Sequence, residues 1–429
     1  MTSEIVIMNK NAVSMAADST STIVSRAGQH DIQRKTYSSS NKLFALYDHS
    51  IGIMIYNDAN FMGLPWETII HAFREHIKDE GKRFETLEAG AECFISFLEN
   101  CEMFDKGQQA RFFMEEFEEY HKNLLDHLLQ YLKKCSDGFY SDRSAKIFAD
   151  EDKLEILEQE LEKIISQSRI TKQYDQDFNA ELEFYLQEIN AICLGIYESS
   201  YEILKEQLGK INDLFFNNPM KGFASGIVFA GFGDNDYTPK VCSLLIDRLL
   251  LNKLAYVTDF VKDCNTNAHI FPFAQREIID AFVKGISPAF EEDVKTAINA
   301  SFSYLHTSLM SKIGEEKSEL QQKINDWATA FSEKNDDLKN FIQAYSAGEF
   351  IEPIFEALEN LPKTELAMMA ETLINLTSFK QKITNQPETV GGPIDVAVIS
   401  KSEGFVWVKR KYYFNPDYNP HYIAKHYKE

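Results

Sequence analysis

Thr2 is the residue of this chain with the most chemistry to offer. Initiator methionine is removed where the second residue is small, and loss of Met1 leaves a threonine whose hydroxyl and α-amine belong to one residue. A free α-amine titrates at about 7.7–8.0. It can therefore take the hydroxyl proton near neutral pH and turn a weak alcohol into a nucleophile for acyl transfer. Other chemistry-bearing groups are poorer candidates. His71 and His76 are five residues apart, off a common helical face, and are not expected to hold a metal. The stretch Gly231–Asp236 (GFGDND) has acidic residues but no glutamate at the closing position of a calcium loop, and reads as a hairpin turn. Ser39-Ser40-Asn41-Lys42 has a Ser-x-x-Lys spacing, yet it precedes a strand instead of opening a helix, which argues against a penicillin-binding-type site. Lys409-Arg410-Lys411 reads as the solvated edge of the last strand. The six cysteines (93, 101, 135, 193, 242 and 264) form no CxxC pair, so neither a zinc site nor a disulfide framework is expected, and no cofactor is implied.

The elements that must position Thr2 alternate in character along the chain. Glu4–Met8 (EIVIM) reads as a strand, Asn9-Lys10-Asn11 as a turn, and Ala12–Ala17 as a second strand ending at Asp18. Residues 19–38, rich in Ser and Thr, read as a loop. Leu43–Tyr47 and Ile51–Tyr56 make a second pair of apolar runs, so the chain opens on an antiparallel sheet. From Pro65 the period becomes helical, with Trp66, Ile69, Ile70, Phe73 and Ile77 on one face. Residues 86–133 and 151–215 continue as helix. Residues 101–200 carry 22 acidic and 11 basic side chains, with Leu154, Leu157, Leu161, Ile164 and Ile165 at helical spacing, the pattern of an acidic helical hairpin with one solvated face. Strand character returns at Ala224–Ala230, Val241–Ile246 and Leu254–Phe260. Phe273–Gly285 and 287–380 are mostly helical, and Ile394–Ser400 with Phe405–Tyr412 form a closing hairpin.

The 429 residues contain 66 acidic and 44 basic side chains, a net charge of −22. That field repels a phosphate backbone, so no nucleic-acid partner is expected, and a soluble enzyme or assembly subunit is favoured. The first residues lack a basic segment followed by an apolar one, so no secretory signal is expected. No run approaches the roughly 18–20 apolar residues that span a membrane, so neither is a membrane association, and the expected compartment is cytoplasmic.

Thr2-Ser3-Glu4-Ile5-Val6, Ala16-Ala17-Asp18-Ser19 and Asn41-Lys42-Leu43-Phe44 taken together resemble the opening of proteasome β subunits and of their bacterial relatives, the HslV-type proteases of the N-terminal-nucleophile hydrolase superfamily. That family places a catalytic threonine on the first strand, an aspartate closing the second strand sixteen residues later, and a lysine opening the third. Thr2 and Asp18 keep the spacing without a gap, and Lys42 is matched by its following Leu-Phe. Glu388-Thr389-Val390-Gly391-Gly392-Pro393 and the hairpin after it look like the family's last catalytic turn, with Glu388 at an aspartate position, Gly391 at a serine position and Gly392 at a glycine. The central junction, Gly-Ser-Gly-like in the family, is Phe271-Pro272-Phe273-Ala274 here. Taken singly, Asp18 reads as a strand-end cap, Lys42 as a surface lysine and Gly391-Gly392-Pro393 as a turn. Their joint order with Thr2 makes them a set.

The resemblance implies an α+β fold, the four-layer α-β-β-α sandwich of two antiparallel sheets, interrupted by inserted helical segments. The sandwich would be assembled from residues 1–100, 217–285 and 366–429, with an acidic helical insertion at 101–216 and a second at 286–365. The implied function is threonine-dependent peptide-bond hydrolysis. Thr2 attacks the carbonyl, Lys42 beside Asp18 keeps the amine neutral by like-charge proximity, Glu388 completes the catalytic set, and Gly391 and Gly392 form the turn that supplies oxyanion N–H groups. Peptides or unfolded proteins are the implied substrates, a homo-oligomeric ring the implied assembly, and a separate ATPase unfoldase a possible partner. The alternatives are a catalytically silent subunit of the same fold, with the insertions as docking arms, and a small-molecule amidase.

Overall fold

The computed structural model describes residues 3–27, 31–46, 48–135, 151–167, 185–197, 201–217, 224–265, 267–311, 320, 322–327, 340–384, 390–421 and 424. In chain order its strands begin with β1 (Ser3–Met8), β2 (Ala12–Asp18), β3 (Ser21–Ala27), β4 (Asp31–Tyr37), β5 (Leu43–Leu46), β6 (Ile51–Tyr56), β7 (Asn60–Phe61) and β8 (Leu64–Pro65). They continue with β9 (Ser225–Gly231), β10 (Lys240–Leu250), β11 (Lys253–Asp263), β12 (His269–Ala274), β13 (Ile394–Ser400) and β14 (Gly404–Lys409). The chain divides into two compact units, one comprising residues 1–56, 230–240 and 263–429, the other residues 57–229 and 241–262. The class is α+β with antiparallel sheets.

The first unit is built on a five-stranded sheet ordered β12-β1-β2-β13-β14, and each of its pairings is antiparallel. Every residue of β1, β2 and β13 is buried, because layers cover both faces. On one face Ile5, Ile7, Ala16 and Val396 pack against Ile279, Leu366, Ala370, Leu373 and Ile374 of the helices Glu277–Lys284 and Lys363–Ile383. Each of the isoleucine, leucine and valine side chains among these is worth roughly 1.5–3 kcal/mol on full burial. On the other face lies the β5–β6 hairpin. It sits close because Gly52 has no side chain: a Cβ there would come within 2.8 Å of Met15 Sδ and of Ile399 Cδ1. Helices, sheet and hairpin thus stack as three successive layers within this unit.

Three expectations change. Residues 19–38 contain the β3–β4 hairpin instead of a loop. The β-branched Thr22, Ile23 and Val24 favour extended backbone, and cross-strand pairing outweighs the polar composition that suggested a loop. Phe273 belongs to β12, so the following helix begins at Glu277 and not earlier. The basic run after β14 is engaged: Lys409 pairs with Glu371, Lys411 with Asp395, and the Arg410 guanidinium lies 4.8 Å over the Trp407 ring.

In the second unit the helical periods read from the sequence become the helices Trp66–Asp79, Leu87–Asn100, Lys106–Cys135, Glu151–Gln167, Leu186–Tyr197 and Tyr201–Asn217. Trp66, Phe73 and Phe94 pack ring on ring in the first two. The longer helices close around Phe113, Phe117, Leu128, Leu157, Leu161, Tyr197, Leu204 and Phe215. Within this apolar interior sits His121, wholly buried, its Nδ1 3.1 Å from the Tyr197 hydroxyl. Burial pushes the imidazole down to about 4, against an opposing hydrogen bond with Asn212. A histidine kept neutral in the fold binds its proton sooner when unfolded, so its contribution is intact above pH 6.5 and lost as the pH falls from there toward 4. Chemical denaturation should therefore show a histidine-dependent loss of about 2–3 kcal/mol between pH 7 and pH 4.5, and a His121→Phe variant should lose less over that interval than the wild type.

Candidate functional site

The strand order brings distant residues to one edge. β2 lies between β1 and β13 and runs antiparallel to both, so the end of β2 meets the starts of the other two. The register pairs Glu4 with Ala17 and Ile394 with Asp18. The turn before β13 therefore falls beside the Asp18 carboxylate, as do the first described residues of the chain.

Asp18 is the hub. Its Oδ1 accepts from the Lys42 ammonium at 2.6 Å and from the Ser3 N–H at 3.1 Å. Its Oδ2 accepts from the Thr20 N–H at 3.2 Å and the Gly391 N–H at 2.9 Å. Four donors fill the acceptor positions of a carboxylate, so Asp18 ties together the segments around it. Lys42 lies immediately before β5, its Nζ also 3.0 Å from Glu4 Oε1. Glu4 is 0%, Asp18 1% and Lys42 5% exposed. Water screens this group very little, and an ammonium beside a buried strand end is there at a large desolvation cost. The Ser19 hydroxyl donates to the Pro393 carbonyl and the Thr20 hydroxyl to the Gly391 carbonyl at 2.7 Å, tying the end of β2 to the β13 turn.

Of the residues singled out in the sequence, Asp18, Lys42 and Gly391 are brought together. Gly392 adjoins them in the turn. Thr2 and Glu388 lie outside the described residues; the N–H of Ser3, next in the chain after Thr2, is fixed on Asp18. The Gly391 N–H is occupied by Asp18 Oδ2, which gives that glycine a part in holding the acid. Gly392 has φ +72, and a Cβ on it would come within 2.9 Å of Ser38 Cβ, so both backbone and space require glycine there. Gly391 differs: a Cβ would meet Thr20 Oγ1 at 3.7 Å and Ser378 Oγ at 3.8 Å, ordinary contact distances.

Glu4 is the site residue that the sequence reading passed over. A glutamate inside the apolar run EIVIM was the available signal, since a charge within a buried strand needs a buried partner.

No protein-family model matches the chain. No curated protein matches its sequence. Among solved structures, the chain is similar to the Anbu (Gly-1) mutant from Hyphomicrobium sp. strain MC1, at 7% identity and a TM-score of 0.28, over 99% of this chain and 94% of that one. At that TM-score the likeness carries no argument.

Two sets of substitutions test the geometry. Lys42→Met leaves two buried carboxylates without their ammonium and should cost about 3–5 kcal/mol, whereas Glu4→Gln, which leaves Lys42 on Asp18, should cost clearly less. Gly391→Ser should change stability by no more than about 0.5 kcal/mol, while Gly392→Ala should lose about 1–2 kcal/mol. Denaturant titrations of the four variants read both contrasts.

Proposed function

We propose that this chain is a threonine-dependent peptide hydrolase of the N-terminal-nucleophile kind, with Thr2 as nucleophile once Met1 is removed. One observation carries the reading: a buried lysine ammonium, gripped by the carboxylates of Asp18 and Glu4, sits where the chain's first strand begins. A strand end needs no such cluster for packing, since buried ions are costly, and charges assembled at one point are a mark of sites that handle protons. In this reading Lys42 lowers the proton affinity of the Thr2 amine, Asp18 anchors Lys42 and the turn at Gly391, and the amine takes the Thr2 hydroxyl proton as the oxygen attacks the peptide carbonyl. In this reading Glu388 completes the catalytic set, and a backbone N–H of the turn at Gly392 receives the oxyanion. The three layers of the first unit support the stacked α-β-β-α sandwich that the family resemblance implies, with 101–216 and 286–365 as insertions. The proposed context is cytoplasmic, in a homo-oligomeric ring that takes peptides or unfolded proteins, with a separate ATPase as a possible feeder. No described helix is long and apolar enough to cross a membrane.

A second reading, a silent subunit of the same fold, draws on Gly391: the hydroxyl that a serine would offer at that place is missing.

Intact-mass measurement and peptide turnover decide between them. The expected result is a chain beginning at Thr2 that hydrolyses unfolded protein, with Thr2→Ala slower by about 10³-fold or more. Retained Met1, or a Thr2→Ala variant as active as the wild type, overturns the hydrolase. A processed chain with no turnover, and no trapping by a threonine-directed electrophile, supports the silent subunit.

A further inference from the structure

Glu4 is a costly residue for its position. It lies within β1, wholly buried, between Ala17 of β2 and Phe273 of β12 in the register of the sheet. Packing alone asks for an apolar side chain there, as at the β1 positions from Ile5 to Met8. Its carboxylate instead lies on the Lys42 ammonium, Oε1 to Nζ 3.0 Å, which Asp18 Oδ1 already holds at 2.6 Å. Two buried carboxylates thus share one ammonium. One strand further along the same row, beyond Ala17, stands Asp395 of β13, and its carboxylate is matched by the Lys411 ammonium. From the covering helix Lys363–Ile383 the charged groups at that end are Lys380 and Lys382, on either side of Gln381, whose Oε1 accepts from the Val390 N–H. Both lysines are in contact with water, where their fields are screened.

The leading amine of a chain that begins at Thr2 is bound to stay near this group. The Ser3 N–H is fixed on Asp18 Oδ1 at 3.1 Å. Three covalent bonds separate that nitrogen from the Thr2 amine, so at any torsion the two nitrogens are no more than about 3.7 Å apart. The amine therefore lies within about 7 Å of the Asp18 carboxylate oxygen and about 10 Å of Lys42 Nζ. At such separations in a poorly screened interior, one charge shifts a neighbour's proton affinity by about one pH unit. Lys42 by itself eases the proton off the amine. Asp18 offsets that effect, and Glu4 tips the sum toward keeping the proton.

We propose that Glu4 sets the working pH of this site: its carboxylate keeps the Thr2 amine protonated at neutral pH and holds the nucleophile back until the medium turns alkaline. The proposal rests on the threonine-hydrolase reading, and it adds a restraint that Asp18 and Lys42 alone do not impose.

Two pH titrations of the processed full chain test this. One follows kcat/KM for peptide hydrolysis. The other follows acetylation of the Thr2 amine by trace acetic anhydride, read by mass spectrometry of the amino-terminal peptide, and needs no turnover. In the wild type both should have midpoints above the ordinary α-amine range of about 7.7–8.0. Glu4→Gln should lower both midpoints by about one pH unit and raise kcat/KM at pH 7 by about three- to tenfold. Glu4→Asp keeps a negative charge at the position and should stay close to the wild type, which a loss of packing alone does not produce. A wild-type midpoint below that ordinary range overturns the proposal without any variant. So does a Glu4→Gln midpoint equal to that of the wild type; where turnover persists in that case, the hydrolase reading stands and only the role of Glu4 falls. A chain beginning at Thr2 with no turnover at any pH, as wild type or as Glu4→Gln, fells both.

Discussion

The first unit depends on one interaction above the others, the placement of the Lys42 ammonium between the carboxylates of Asp18 and Glu4. All three side chains are withdrawn from water. Attraction inside a poorly screened interior is strong, but so is the cost of removing the charges from solvent, and the balance is favourable only when the remaining hydrogen-bonding capacity is met. Asp18 meets it fully, through the N–H groups of Ser3, Thr20 and Gly391 besides the ammonium. The carboxylate therefore holds three separate chain segments at fixed distances. The two ion pairs hold the ammonium in one place between the carboxylates.

That geometry rests on topology. The segments that meet at Asp18 come from the first twenty residues, from residue 42 and from the turn at 391, and they meet because β2 has β1 on one side and β13 on the other. A site made from both ends of a long chain forms only after the sheet closes, and contacts so far apart in sequence order late, since their loop-closure entropy is large. The intervening chain is free to carry the acidic helices of the second unit, whose core is their own. It is also free to carry the helix Lys363–Ile383, which covers the sheet with small and aliphatic residues on its inner face.

Most strand and helix periods and the two hairpins at the ends of the first unit were legible in the amino-acid order, because alternation of apolar residues is a local property. The β3–β4 hairpin was not, because backbone pairing there overrides a polar composition. The engagement of Lys409 and Lys411 was not legible either, because their partners, Glu371 and Asp395, are neighbours only across the sheet and its covering helix.

The sequence by itself determined most of the strands and helices, β3 and β4 apart, the excess of acid, and the residue types from which a buried ion cluster can be made. Tertiary structure alone decided that Glu4 joins Asp18 on Lys42, that the Gly391 N–H is held by a carboxylate, and that Gly391 has room for a side chain while Gly392 has none. The reason is physical: charge pairing, saturation of lone pairs and steric room depend on distances between atoms, and those between residues far apart in the chain exist only once the sheet has brought them together.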